Sequence, residues 1–121
     1  MTSMKATDCT SGKNLALNLA VADTLFTRLK GLLGRSALPA GQGLWIKPCN
    51  SIHTFGMKFP IDVVFLDKGS RVVGVAKTLR PNRISRIYCG AASVIELPAG
   101  TIDAAQTKLG HQLKVHKNAA M

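Results

Sequence analysis

Residues 61–79 read IDVVFLDKGSRVVGVAKTL, two β-branched runs joined by a short segment that contains Gly69. Val and Ile lose side-chain freedom in a helix and fit a pleated strand better, so two such runs around a Gly turn spell a β-hairpin. The shorter apolar runs elsewhere then read as further strands. Leu15, Leu17, Leu19 and Val21 alternate with smaller or polar residues at the two-residue period of a strand. LWI at 44–46, ASVIEL at 92–97 stopped by Pro98, and QLKVH at 112–116 read the same way, with SIHTF at 51–55 as extended chain.

One helix interrupts this pattern. Leu25, Phe26, Leu29, Leu32 and Leu33 recur at helical spacing behind Asp23 or Thr24 as cap, and Gly31 or Gly34 closes the segment. SALPAGQG at 36–43 is turn chemistry, and TIDAAQTKLG at 101–110 is a short helical turn closing at Gly110. The expected fold is therefore mainly β. It is a single compact β-sandwich or barrel with one N-terminal helix and a short helical turn near the C-terminus. Residues 1–13, small, polar and charged, are expected to be a disordered leader, 14–117 the β domain and 118–121 a tail.

A chain of 121 residues suits one domain, and an apolar fraction of 46% argues against intrinsic disorder. Sixteen Lys and Arg against six Asp and Glu give a net charge of +10, which draws anionic ligands or acidic partners. The basic residues are scattered and form no run of the kind found in nucleic-acid arms, which argues against specific nucleic-acid binding. No stretch approaches the roughly 18 apolar residues of a membrane helix. LALNLAVA at 15–22 follows Lys5 and Lys13 and resembles a signal peptide, but Asn18 interrupts it. The chain is read as cytoplasmic, with secretion as the alternative. Cys9, Cys49 and Cys89 are odd in number and widely spaced, and are expected to be independent reduced thiols.

Four motifs stand in order: RLKGLLGR at 28–35, GLWI at 43–46, MKFPIDVVFLD at 57–67 followed by RVVGV, and IELPAGTID at 95–103 leading into KLG at 108–110. In these the chain resembles the prokaryotic family called domain of unknown function 192, from about residue 15 to residue 115. The resemblance implies a compact β fold like a jelly roll with a helix near its N-terminus, and no established activity. The chain departs from the family pattern at Gly56, where a Trp is usual, at Phe59, where an Asn is usual, and at His111, where an acidic residue is usual.

Several residues carry candidate chemistry. If residues 49–57 are extended, Cys49, Ser51, His53, Phe55 and Met57 share one face. Cys49, His53 and Met57 are soft-leaning ligands, yet strand neighbours two apart sit about 6.5 to 7 Å from each other, too far for one ion without a bend. No metal or other cofactor is therefore assigned. Cys49 with His53 would be the nearest pair for thiol chemistry, though no thiol-enzyme signature is present. Asp62 and Glu96 each stand inside an apolar strand, Asp62 on the face of Val64 and Leu66, Glu96 on the face of Val94. Buried carboxylates need partners, so Glu96 is expected to accept from an Arg or from backbone N–H and to serve folding. Arg80, Arg83 and Arg86 recur every three residues, a spacing that aligns guanidinium forks for anions on one side of a helix or polyproline-like segment, with Lys58 as a further ligand-binding candidate. The resulting reading is a non-enzymatic module binding an anionic ligand or acidic partner. The alternative is a small enzyme or metal-binding protein using Asp62, Glu96 and His53 in a pocket.

Overall fold

The structure, a computed structural model, describes residues 4–118. In chain order the elements are β1 (Met4–Asp8), β2 (Lys13–Ala22), α1 (Leu25–Lys30), β3 (Gln42–Ile46), β4 (Ile61–Leu66), β5 (Val72–Leu79), β6 (Ser93–Pro98), α2 (Thr101–Ala105) and β7 (Leu113–Lys117). All seven strands lie in one sheet of order β5-β4-β6-β3-β2-β1-β7. Neighbours are antiparallel except β2 and β3, which run parallel with Asn18 opposite Gln42 and Ala22 opposite Ile46. A parallel pair needs a crossover, and residues 23–41, with α1, supply it.

The sheet curls until its edges meet at one end. Arg71 bridges Gln112, Val72 N–H donates to His111 O at 2.9 Å, and Leu113 N–H donates to Ser70 O at 2.9 Å. The result is a half-barrel, mainly β as expected, built from one curled seven-stranded sheet. The cause is β6, which pairs with β4 on one side and β3 on the other and so joins the two halves of the chain into one ladder.

The leader expected at the N-terminus is, from Met4 onward, an ordered strand. β1 pairs with β2 on one side and β7 on the other, Ala6 and Asp8 are fully buried, and composition gave no hint of this two-sided pairing. Residues 1–3, and residues 119–121 of the expected tail, lie outside the described residues. α1 starts and stops where its caps dictate. Thr24 Oγ1 accepts Thr27 N–H at 3.1 Å, Thr27 Oγ1 accepts Thr24 N–H at 3.1 Å, and Gly31 follows with φ 49°. Its apolar side does not face the core, however, because no residue of α1 is buried and Phe26 is 73% exposed. No helix among the described residues is long and apolar enough to cross a membrane.

Alternation along β4 and β6 divides the core in two. Val64, Leu66, Ile95 and Leu97 join Leu15, Leu19, Ile102 and Leu113 on the face under α2. Ile61, Val63, Phe65 and Val94 join Ile46, Ile52, Met57 and Leu32 on the other. Both faces of β4 are thus covered, and every one of its residues is buried. The second face owes its cover to the segments 47–60 and 80–92. Tyr88 reaches across to stack on Phe65 at 4.0 Å, over Gly74 of β5, where a Cβ would lie 2.3 Å from the Tyr88 ring.

Candidate functional site

Segments 47–60 and 80–92 run side by side as an irregular ribbon. Thr54 fixes its centre: its N–H donates to Arg83 O at 2.8 Å, its carbonyl accepts Asn82 N–H at 3.0 Å, and its Oγ1 accepts Arg83 N–H at 2.9 Å. His53 bridges Ile84, and Ser85 exchanges bonds with Ile52. No continuous strand runs over 49–57. The chain bends around Thr54 and at Gly56, whose φ of 78° suits glycine, so Ile52, Thr54 and Met57 turn inward while His53 and Phe55 turn out. Regular alternation therefore fails here.

Between α1 and this ribbon lies a cavity of about 120 Å³, lined by Arg28, Lys30, Cys49, His53, Met57 and Glu96 together with Leu32, Ile46 and Ile52. The bend thus brings Cys49, His53 and Met57 to one pocket after all, with Glu96 of β6 beside them. Glu96 is only 3% exposed, and no hydrogen bond reaches its carboxylate among the described residues. The expected Arg or backbone donor is missing, because Glu96 points from mid-sheet where backbone N–H groups are already used in the ladders with β3 and β4. Burial pushes its carboxyl up to about 7. Arg28 Nε is buried with no acceptor among the described residues, while Arg28 Nη1 donates to Pro48 O at 3.5 Å.

The thiol in this pocket is quiet. Cys49 Sγ donates to Ser51 O at 2.9 Å, and burial pushes the thiol up, with the Glu96 charge adding to that. His53 Nδ1 accepts Phe55 N–H at 3.3 Å and its ring stacks on Phe55, so it is engaged away from Cys49. No cluster of three or more His, Cys, Asp or Glu able to hold a metal ion is present among the described residues. Cys9, Cys49 and Cys89 are all free thiols.

Asp62 does not join this site. It points to the other face of β4, where Oδ1 accepts Thr78 N–H at 2.8 Å and Oδ2 accepts Gly100 N–H at 3.1 Å and Ile102 N–H at 2.9 Å. Its work is to tie β5 and the start of α2 to β4. Asp62 and Glu96 therefore stand on opposite sides of the sheet, because Asp62 is opposite Leu97 while Glu96 is opposite Val63. Arg80, Arg83, Arg86 and Lys58 are exposed on the ribbon, in irregular chain and not in a helix. Arg86 lies over the Tyr88 ring at 5.0 Å.

A second buried polar cluster escaped sequence reasoning. Fully buried Asp8 accepts from Thr10 and Ser11 N–H at 2.9 and 3.0 Å, from Thr107 Oγ1 at 2.8 Å, and meets His111 Nδ1 at 2.8 Å. Burial opposes its ionisation, yet the bonds from His111, Ser11, Thr107 and Thr10 outweigh that and hold its carboxyl below the usual range. Partners about a hundred residues apart leave no local signal.

Fold and pocket together define a small, mainly β protein whose single curled sheet carries a partly charged cavity under an α1 and ribbon cover. The chain belongs to the domain of unknown function 192 family: the family model, described as Uncharacterized ACR, COG1430, matches residues 6–115. It is similar to a UPF0127 protein of Thermococcus sibiricus (strain DSM 12597 / MM 739), 35% identical over 109 residues that cover 86% of this chain and 70% of the relative. A UPF0127 protein of Pyrococcus horikoshii is also 35% identical over 109 residues, covering 84% of this chain and 92% of the relative. In fold, the chain is similar to a crystal structure of a protein of unknown function from Novosphingobium aromaticivorans DSM 12444. The TM-score is 0.79 at 21% identity, covering 93% of this chain and 83% of that one.

Proposed function

We propose that this protein is a non-enzymatic binding module for an acidic protein segment, received on the face formed by α1 and the ribbon. One observation carries the reading. Residues 24–35, 47–60 and 79–92, which cover the second core face, hold eight of the sixteen Lys and Arg and none of the six Asp and Glu. Three of those six acids, Asp8, Asp62 and Glu96, are buried, so the surface charge is still more one-sided than the net charge suggests. Phe26, Leu29, Phe55, Ile84 and Ile87 are exposed on the same three segments. Cations interspersed with apolar side chains suit an acidic peptide that also carries apolar residues, because a purely ionic partner would leave those side chains unused. The enzyme reading needs Asp62 beside Glu96 and His53, an arrangement that opposite sheet faces do not provide.

The test is calorimetric titration with a short amphipathic peptide of Glu and Leu. Replacing Arg80, Arg83 and Arg86 together by Gln is expected to weaken binding about tenfold or more, because three fork-shaped donors are lost. Replacing Lys5, Lys13 and Lys117 by Gln is expected to weaken it only about twofold, through the diffuse field. Equal losses in the two triple variants would overturn the reading.

A further inference from the structure

We propose that the pocket between α1 and residues 46–57 is the seat for one carboxylate of the bound partner, with Arg28 and Glu96 as its two polar contacts. This rests on the acidic-partner reading above and names where an anchor residue goes. Arg28 Nε is a buried donor without an acceptor among the described residues, and the 3%-exposed Glu96, which lines the same cavity, accepts no hydrogen bond from them. Buried polar groups are nearly always paired in a finished structure, so an unpaired donor and a carboxyl facing the same cavity point to a missing occupant. At about 120 Å³ the cavity suits the tip of a side chain, being well under the roughly 300 Å³ lower end of pockets that enclose whole ligands. Its walls of Leu32, Ile46, Ile52 and Met57 fit the methylene behind a carboxylate.

The sign of the occupant follows from the surroundings. A cationic tip would find Glu96 but would have to settle beside Arg28 and Lys30, on a face with no other acid. A carboxylate meets Arg28 and Lys30 favourably, and Glu96 receives it by holding a proton between the two oxygens, as two neighbouring carboxyls do. Burial has already raised Glu96 to about 7, so that proton is taken up from neutral solution at little cost. The neighbours leave this assignment unambiguous. β3 and β4 present Leu44 and Val63 beside Glu96, α1 presents Arg28 and Lys30, and the ribbon presents Cys49 and His53. The raised Cys49 thiol stays neutral. Histidine is the other side-chain type that changes charge in this range, so His53→Gln serves as the control.

The experiment uses acetate as probe on the intact chain, followed by amide chemical shifts between about pH 6 and pH 8.5. Wild type is expected to bind acetate with one proton taken up, so that affinity falls about tenfold per pH unit above 7. Glu96→Gln, which offers a permanent N–H donor, is expected to keep the affinity and lose the slope. Arg28→Gln is expected to lose tenfold or more, and His53→Gln to keep the slope. A flat wild-type profile, a slope that vanishes with His53→Gln, or acetate binding abolished by Glu96→Gln would each overturn the proposal. Acetate is further expected to compete with the Glu and Leu peptide. A peptide that binds through Arg80, Arg83 and Arg86 without acetate competition would leave the acidic-partner reading standing and sink the pocket alone.

Discussion

Asp62 is the residue whose loss the structure prices most sharply. It is 1% exposed, and its two oxygens accept three backbone N–H groups, one from Thr78 and two from the start of α2 at Gly100 and Ile102. Hydrogen bonds to a charged group contribute roughly 1.5–3 kcal/mol each, and a buried donor left unpaired incurs its full desolvation penalty. Three such bonds in one network are not additive, so Asp62→Ala is expected to lower stability by about 4 kcal/mol. That is a large share of the roughly 5–15 kcal/mol typical of a whole domain. Asp62→Asn separates the chemistry from the cavity. Either orientation of the amide sets its NH2 group against at least one backbone N–H, so Asn is expected to lose about 3 kcal/mol despite conserving shape. Urea unfolding followed by Trp45 fluorescence and far-ultraviolet dichroism measures both, at unchanged slope with denaturant. Trp45 is a suitable reporter because its Nε1 donates to Ser93 Oγ at 2.9 Å between β3 and β6. An Asn variant within about 1 kcal/mol of wild type would refute the reasoning.

Two further outcomes are expected. Gly74→Ala places a Cβ 2.3 Å from the Tyr88 ring and should displace it from Phe65, destabilising the chain by about 1–3 kcal/mol and exposing Tyr88 to solvent, read by thermal unfolding and tyrosine absorbance. Glu96, raised from 4.5 to about 7, binds more protons folded than unfolded across that interval, so its penalty is absent below pH 4.5, grows as pH rises, and is complete above 7. The unfolding free energy should fall over that window by an amount on the order of 3 kcal/mol attributable to this group, and Glu96→Gln should remove that fall; an identical pH profile in the variant would contradict it.

Periodicity was informative wherever a segment's neighbours in space were also regular. The hairpin of β4 and β5 and the strands β2, β3, β6 and β7 follow from local residue chemistry, because alternation and β-branching act over a few residues, whereas local chemistry offers Asp23 or Thr24 as cap and Gly31 or Gly34 as stop, and the structure uses Thr24 and Gly31. The side each carboxylate takes was equally legible, Asp62 with Val64 and Glu96 with Val94, since alternation along a strand fixes it. What surrounds each side was not. Asp62 finds donors at Thr78, Gly100 and Ile102 while Glu96 finds none among the described residues, a difference made by α2 folding over one face and the ribbon over the other. The order of β1 comes from partners at both ends of the chain, and the Asp8, Thr107 and His111 cluster from residues about a hundred positions apart. The exposed apolar side of α1 misled helical periodicity, which reports a stripe but not what covers it. The sequence by itself determined most of the strands and the excess of positive charge, because these depend on each residue and its near neighbours. Only the tertiary structure decided that one curled sheet forms and that Arg28, Cys49, His53, Met57 and Glu96 meet in one cavity, because long-range pairing sets which faces are covered and by what.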